Sequence, residues 1–119
     1  MERYEALIGL EVDAAEPEEA RGRVRVVNGV KQPAGLVHGG IYPSLAESLA
    51  TRAMAEAVAP ATAVGYSSQT SFLRPVLAGQ VHAAGRPRHR GRSTWVWEFE
   101  ITDDEGRLCA LVRMTVGVA

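Results

Sequence analysis

Apolar and polar residues alternate twice near the start of the chain, over residues 7–13 and again over 21–27 ("RGRVRVV"), the period-two signature of half-buried strands. The intervening "AAEPEEA", residues 14–20, breaks the alternation with proline and acids and predicts a turn, so the two strands read as a hairpin. Residues 28–40 ("NGVKQPAGLVHGG") lose periodicity and gather glycine, asparagine and proline, as a loop does. From Gly39 to Val58 the period becomes helical. Pro43 falls in the first turn, where a missing N–H costs nothing, and Pro60 closes the segment. Alternation then returns in four runs, residues 63–76, 79–90, 93–102 and 107–119. They are separated at Leu77–Gly79, near Gly91, and at Asp103–Gly106 ("DDEG"), where aspartate and glycine supply the backbone angles of a tight hairpin turn. Two strands, one long helix and four strands predict an α+β architecture, an antiparallel sheet with the helix on one face.

Spacing along the helix sorts its residues into stripes. At about 100° per residue, Ala46, Ala50, Ala53 and Ala57 share a narrow one, small enough for a sheet to approach closely. Arg52 and Glu56, four apart, are expected to pair on a solvated face. Glu47 points roughly 140–180° away from them, on the stripe of Gly40, Ser44, Thr51, Met54 and Val58. A carboxylate there is either another exposed edge or a functional group. The second reading draws on its company: a helix start built from Gly39 and Gly40, a polar Gln32 in the loop before it, and the hydroxyls of Ser48 and Thr51.

Composition removes several functions. The 119 residues fit one domain, 1–119, and a formal net charge of −1 points to neither a nucleic-acid nor a membrane surface. No apolar run approaches the roughly 20 residues of a membrane span. The first residues lack the basic, apolar, small-residue order of a signal peptide, and a cytoplasmic location is the expectation. The single cysteine, Cys109, permits no internal disulfide and reads as a small buried apolar residue. There is no Gly-x-Ser-x-Gly elbow, phosphate-loop lysine or dinucleotide fingerprint, and His38, His82 and His89 lack metal-ligand spacing, so no metal and no cofactor is expected.

The stretch "GLVHGGIYPSLAESLAT", residues 35–51, resembles the signature of the hotdog-fold acyl-CoA thioesterases, in the PaaI-like branch that includes 4-hydroxybenzoyl-CoA and 1,4-dihydroxy-2-naphthoyl-CoA thioesterases. The resemblance continues through "RHRGRSTWVWEFEITDDEGRLCALVRMTV", residues 88–116. It implies a hotdog fold, one long helix wrapped by an antiparallel sheet of about five to six strands. It also implies active sites made by two chains, a homotetramer built as a dimer of dimers, and an acyl-CoA substrate whose coenzyme A is no separate cofactor. Gln32, His38, Gly39, Glu47 and Thr51 match the active-site motif, with Glu47 buried against a neighbouring chain. Aryl acyl groups, such as hydroxybenzoyl, hydroxyphenylacetyl or dihydroxynaphthoyl, are favoured by the resemblance; a medium-chain acyl group stays open.

The chemistry fits these residue types. Thioester hydrolysis requires a group that attacks or activates water and a donor for the charge developing on the carbonyl oxygen. The Gly39 N–H, at the first turn of a helix, is such a donor, and a glycine there leaves the approach clear. Glu47 would act as nucleophile or general base, with Gln32 and Thr51 orienting thioester, water or carboxylate. His38 either shapes the loop through its ring, as the resemblance suggests, or transfers a proton itself. Gly40 and Ser48 flank the motif as substrate contacts, and Gly65, Ser67 and Ser68 in "GYSSQTSF" fall where related enzymes bring a strand against the partner's helix. In "RPRHRGRST", Arg90, Arg92, Ser93 and Thr94 are the candidates for coenzyme A phosphates, because guanidinium forks match phosphate oxygens; the alternative is a solvated hairpin end. Trp95 and Trp97 share one strand face and read as core or interface. Two rival functions are a hotdog-fold hydroxyacyl-thioester dehydratase and a non-catalytic acyl-CoA-binding protein.

Overall fold

The computed structural model describes residues 3–119. A short helix, α1 (Tyr4–Ile8), leads into the hairpin of β1 (Glu11–Glu16) and β2 (Glu19–Arg25). A single-turn 3-10 helix follows at Asn28–Val30, and then the long helix α2 (Ile41–Val58). The chain ends in β3 (Ala63–Phe72), β4 (Gln80–Arg90), β5 (Thr94–Thr102) and β6 (Leu108–Val118). The six strands form one antiparallel sheet in the order β1-β2-β4-β5-β6-β3. Helix α2 packs chiefly on β3 and β6 at one side and on β1 and β2 at the other, so the sheet curls around it in the hotdog arrangement.

The curl follows from which residues must leave water. Leu45, Leu49 and Met54 are fully buried on α2, against Val24, Val81, Phe99, Ile101 and Val112 of the sheet. Each such side chain contributes about 1.5–3 kcal/mol by leaving solvent. Ala46, Ala50 and Ala53 are buried as their stripe predicts; Ala57, one turn further, is exposed. Trp95, Trp97 and Phe99 stack along β5 with centroids 6.3 and 5.8 Å apart, all inside the core.

Three expectations change. The alternation over residues 7–13 spans two elements: α1 ends at Gly9, whose left-handed φ of 74° reverses the chain, and β1 begins only at Glu11. Both strands also run into the expected 14–20 turn, β1 to Glu16 and β2 from Glu19, which leaves Pro17 and Glu18 as the turn. Arg52 pairs not with Glu56 but with Glu5 of α1, at 2.9 Å, because α1 lies across that face of α2. Finally, β3 stops at Phe72 rather than residue 76. The next residues leave the strand: the Leu73 and Arg74 N–H groups share the Cys109 carbonyl while residues 73–75 stay exposed, and Val76 is buried with its carbonyl accepting from the Val37 N–H at 2.9 Å.

Candidate active site

The loop before α2 is closed by its own backbone. The His38 N–H donates to the Val30 carbonyl at 2.8 Å, Lys31 bridges Val37, and the Gln32 N–H donates to the Leu36 carbonyl at 2.8 Å. The Gln32 side-chain oxygen accepts from the Ala34 N–H, so this amide holds its own turn in the free chain. His38 does what a loop-shaping histidine does: its Nδ1 accepts from the Gly40 N–H at 3.0 Å. That bond occupies the one N–H that Gly40 has. The Gly40 carbonyl is also engaged, by the Ser44 hydroxyl at 2.9 Å.

Gly39 differs from its neighbours. Among the described residues its N–H meets no acceptor, and because α2 begins at Ile41 with Gly40 as its N-cap, rather than at Gly39, Gly39 lies one residue before the cap, beside the partial positive charge of the helix end. A side chain there would collide with Phe72, since a Cβ would stand 2.8 Å from one ring carbon and 2.9 Å from the next. A hollow of about 370 Å³ opens beside it, walled by Gln32, Gly39, Tyr42, Phe72, Leu73 and Arg74. Burial first, and nearby Cys109 second, push the Tyr42 phenol pKa up to about 12.

Glu47 projects from the exposed side of α2 and makes no ion pair among the described residues. Its carboxylate lies over Gly65 of β3, where a Cβ would approach its Cδ and Oε2 to 3.0 Å. Glycine clears the space that the carboxylate occupies. Within the single chain the Thr51 hydroxyl donates to the Glu47 backbone carbonyl at 2.8 Å. Ser48 is half-buried beside it, and Ser67 and Ser68 are exposed on β3 just past a bulge at Tyr66.

Within one chain, Glu47 and Gly39 belong to two separate places. Eight residues of helix amount to about 12 Å along its axis, whereas nucleophile and oxyanion donor must each stand about 3 Å from one thioester carbonyl. The basic hairpin lies at the Glu47 end, because Thr94 pairs with Gly117 and Gly117 with Val64. Arg90 stacks its guanidinium on Trp95 at 5.3 Å, Arg88 reaches Glu98 at 3.3 Å, and Arg92 and Ser93 are exposed at the turn. The structure thus joins Gln32 to Gly39, and Glu47, Thr51 and Gly65 to the side of the sheet that carries the hairpin. Phe72 and Tyr42 at the hollow carried no local signal, because Phe72 reaches Gly39 only through the path of β3 beside α2. Among the described residues no three of His, Cys, Asp and Glu cluster as metal ligands, and no helix is long and apolar enough to cross a membrane.

Comparison with known proteins matches residues 34–110 to the family model described as "Thioesterase superfamily". The 1,4-dihydroxy-2-naphthoyl-CoA hydrolase of Listeria monocytogenes is 36% identical over 112 residues, spanning 93% of this chain and 91% of that protein. A thioesterase from Haemophilus influenzae superposes with a TM-score of 0.90 at 31% identity, over 97% of this chain and 81% of that one. The PaaI protein of the E. coli phenylacetic acid degradation operon superposes with a TM-score of 0.86 at 25% identity, over 97% of this chain and 83% of the other.

Proposed function

The chain belongs to the thioesterase superfamily and is a thioester hydrolase, and from that premise we propose that it cleaves an aryl acyl-CoA at a site shared by two copies. One copy supplies the carbonyl end: the Gly39 N–H polarises the thioester oxygen, Gln32 hydrogen-bonds near it, and the acyl group enters the hollow. The other supplies Glu47 as nucleophile or water-activating base, with Thr51 fixing the helix backbone beneath it, Gly65 clearing its path, and Ser48, Ser67 and Ser68 close at hand. The hairpin hydroxyls of Ser93 and Thr94, with Arg90 and Arg92, take the coenzyme A phosphates from that second side.

One observation carries this reading: Gly39 packs on Phe72 near one end of β3, and Glu47 packs on Gly65 near the other. Strand β3 is an edge strand, hydrogen-bonded to β6 alone, so its other edge is free to pair. Antiparallel pairing with a second β3 about the Ser67–Ser68 midpoint brings Phe72 beside Ala63 of the partner subunit. The Gly39 of each copy then faces Glu47 of the partner subunit. Two such pairs associate as a homotetramer, and a cytoplasmic location suits an acyl-CoA substrate.

The test is complementation. Glu47→Gln and Gly39→Val chains, each nearly inactive alone, are unfolded, mixed and refolded together, and coenzyme A release is followed by thiol titration. Random pairing makes half of the dimers mixed, each with one intact site of two, so about a quarter of wild-type activity returns. Recovery of none, with dimers present, would rule out the shared site. A dehydratase would release no coenzyme A, and a binding protein would be indifferent to Glu47.

A further inference from the structure

We propose that Phe72 is a specificity residue: its ring is a platform that selects planar, conjugated acyl groups over saturated ones of the same size. The inference rests on the hydrolase reading of the hollow and concerns one wall of it. Within one chain Phe72 is 63% exposed and forms part of the wall of the hollow, at the end of β3 where the two copies meet in the proposed assembly. The ring is not loose. It is seated on Gly39 and lies 6.1 Å from the buried Tyr42 ring at a tilt of 40°. The phenyl is thereby fixed beside the N–H that receives the carbonyl oxygen.

A conjugated acyl group is flat, and its thioester carbonyl lies in the plane of its ring. An aryl ring packed on a fixed phenyl, offset or edge-on, therefore also fixes the direction of the carbonyl relative to Gly39. A saturated six-membered ring is puckered, offers no π face, and leaves the carbonyl free to rotate. The volume of about 370 Å³ lies at the small end of ligand pockets, suited to one or two rings rather than an extended chain.

The experiment compares kcat/KM for benzoyl-CoA and cyclohexanecarbonyl-CoA, which differ in flatness and conjugation at nearly equal size. Wild type should favour the benzoyl thioester. Phe72→Leu should lower the ratio of the two about 2- to 12-fold, while Phe72→Tyr should hold it within about twofold. Phe72→Met serves as a second non-aromatic variant, and melting temperatures monitor the fold of each. An unchanged ratio in the Leu and Met variants overturns the proposal, as does a wild-type enzyme without preference; both leave the hydrolase reading standing. Release of coenzyme A from neither thioester by wild type would overturn that reading, and the platform with it.

Discussion

Replacing Gly39 with alanine should separate activity from stability. The added Cβ would stand 2.8 and 2.9 Å from two Phe72 ring carbons, against the 3.5–4.0 Å of relaxed carbon contacts, so the ring must retreat by roughly 0.7 Å. Gly39 is not among the residues with positive φ, so alanine fits the backbone without strain. The Phe72 ring borders the hollow and gives way by that small distance without leaving its seat, which confines the stability change to about 1 kcal/mol, or roughly 3–6 °C in Tm for a domain of this size. The reaction is less tolerant. A methyl beside the oxyanion donor displaces the carbonyl by a good part of an ångström, and losses of that kind cost about 10²-fold in kcat. Thiol release with a saturating aryl acyl-CoA gives kcat, and thermal unfolding gives Tm. Truncating the obstacle as well, in Gly39→Ala with Phe72→Ala, should restore part of the rate, since the two changes act through one contact. Wild-type kcat in the single variant would refute the role of the Gly39 N–H. A Tm collapse of more than about 10 °C would refute the view that so small a shift of Phe72 is cheap.

Glu47→Gln should lower kcat by about 10²- to 10⁴-fold with Tm unchanged, because the side chain is exposed and makes no ion pair among the described residues; stopped-flow thiol release and a melting curve together check both halves. Gly85→Ala should destabilise by about 1–3 kcal/mol, reversing the usual gain from removing a strand glycine: its Cβ would collide with the Phe99 ring, which is 1% exposed and cannot move aside, and urea midpoints measure the loss. The His82 ring, and less strongly the Gln80 N–H, donate to Asp104 and hold its carboxyl below the ordinary range. A folded value below the unfolded one, about 3.9, means stabilisation that is complete above that pH and lost as pH falls through the folded value. Denaturation midpoints taken between pH 5 and pH 2 should therefore fall less for Asp104→Asn than for wild type; parallel curves would contradict the assignment.

Much of the fold was legible because it is written in local periodicity. Helix α2, its Pro43 start and the tight turn at Asp103–Gly106 all follow from residues within one element or one turn. Helix α1 was missed for a physical reason: five residues make barely one turn, too few for a 3.6 period to outweigh the apparent alternation around Leu7 and Leu10. The Arg52–Glu56 expectation failed because α1, 47 residues from Arg52, brought Glu5 closer. At the site, the direction of Glu47 was readable from spacing, and its family assignment from the resemblance. Its position over Gly65 was not, since it depends on how β3 crosses α2. Nor was the Thr51 bond to the Glu47 backbone carbonyl readable from residue type, because a hydroxyl one turn along a helix can serve either the backbone or a side chain.

Under the proposed assembly, the free edge of β3 would link catalysis to concentration. Ten residues of strand with one side unpaired, carrying Val64, Tyr66 and Phe72 exposed, form a surface on which foreign strands can add. If the same edge assembles the site, a diluted chain loses turnover and acquires a sticky margin at the same moment, and mass action governs both. Specific activity should then rise with protein concentration toward a plateau, and substrate that bridges two copies should act as an assembly factor, shielding the chain from aggregation while it is being consumed.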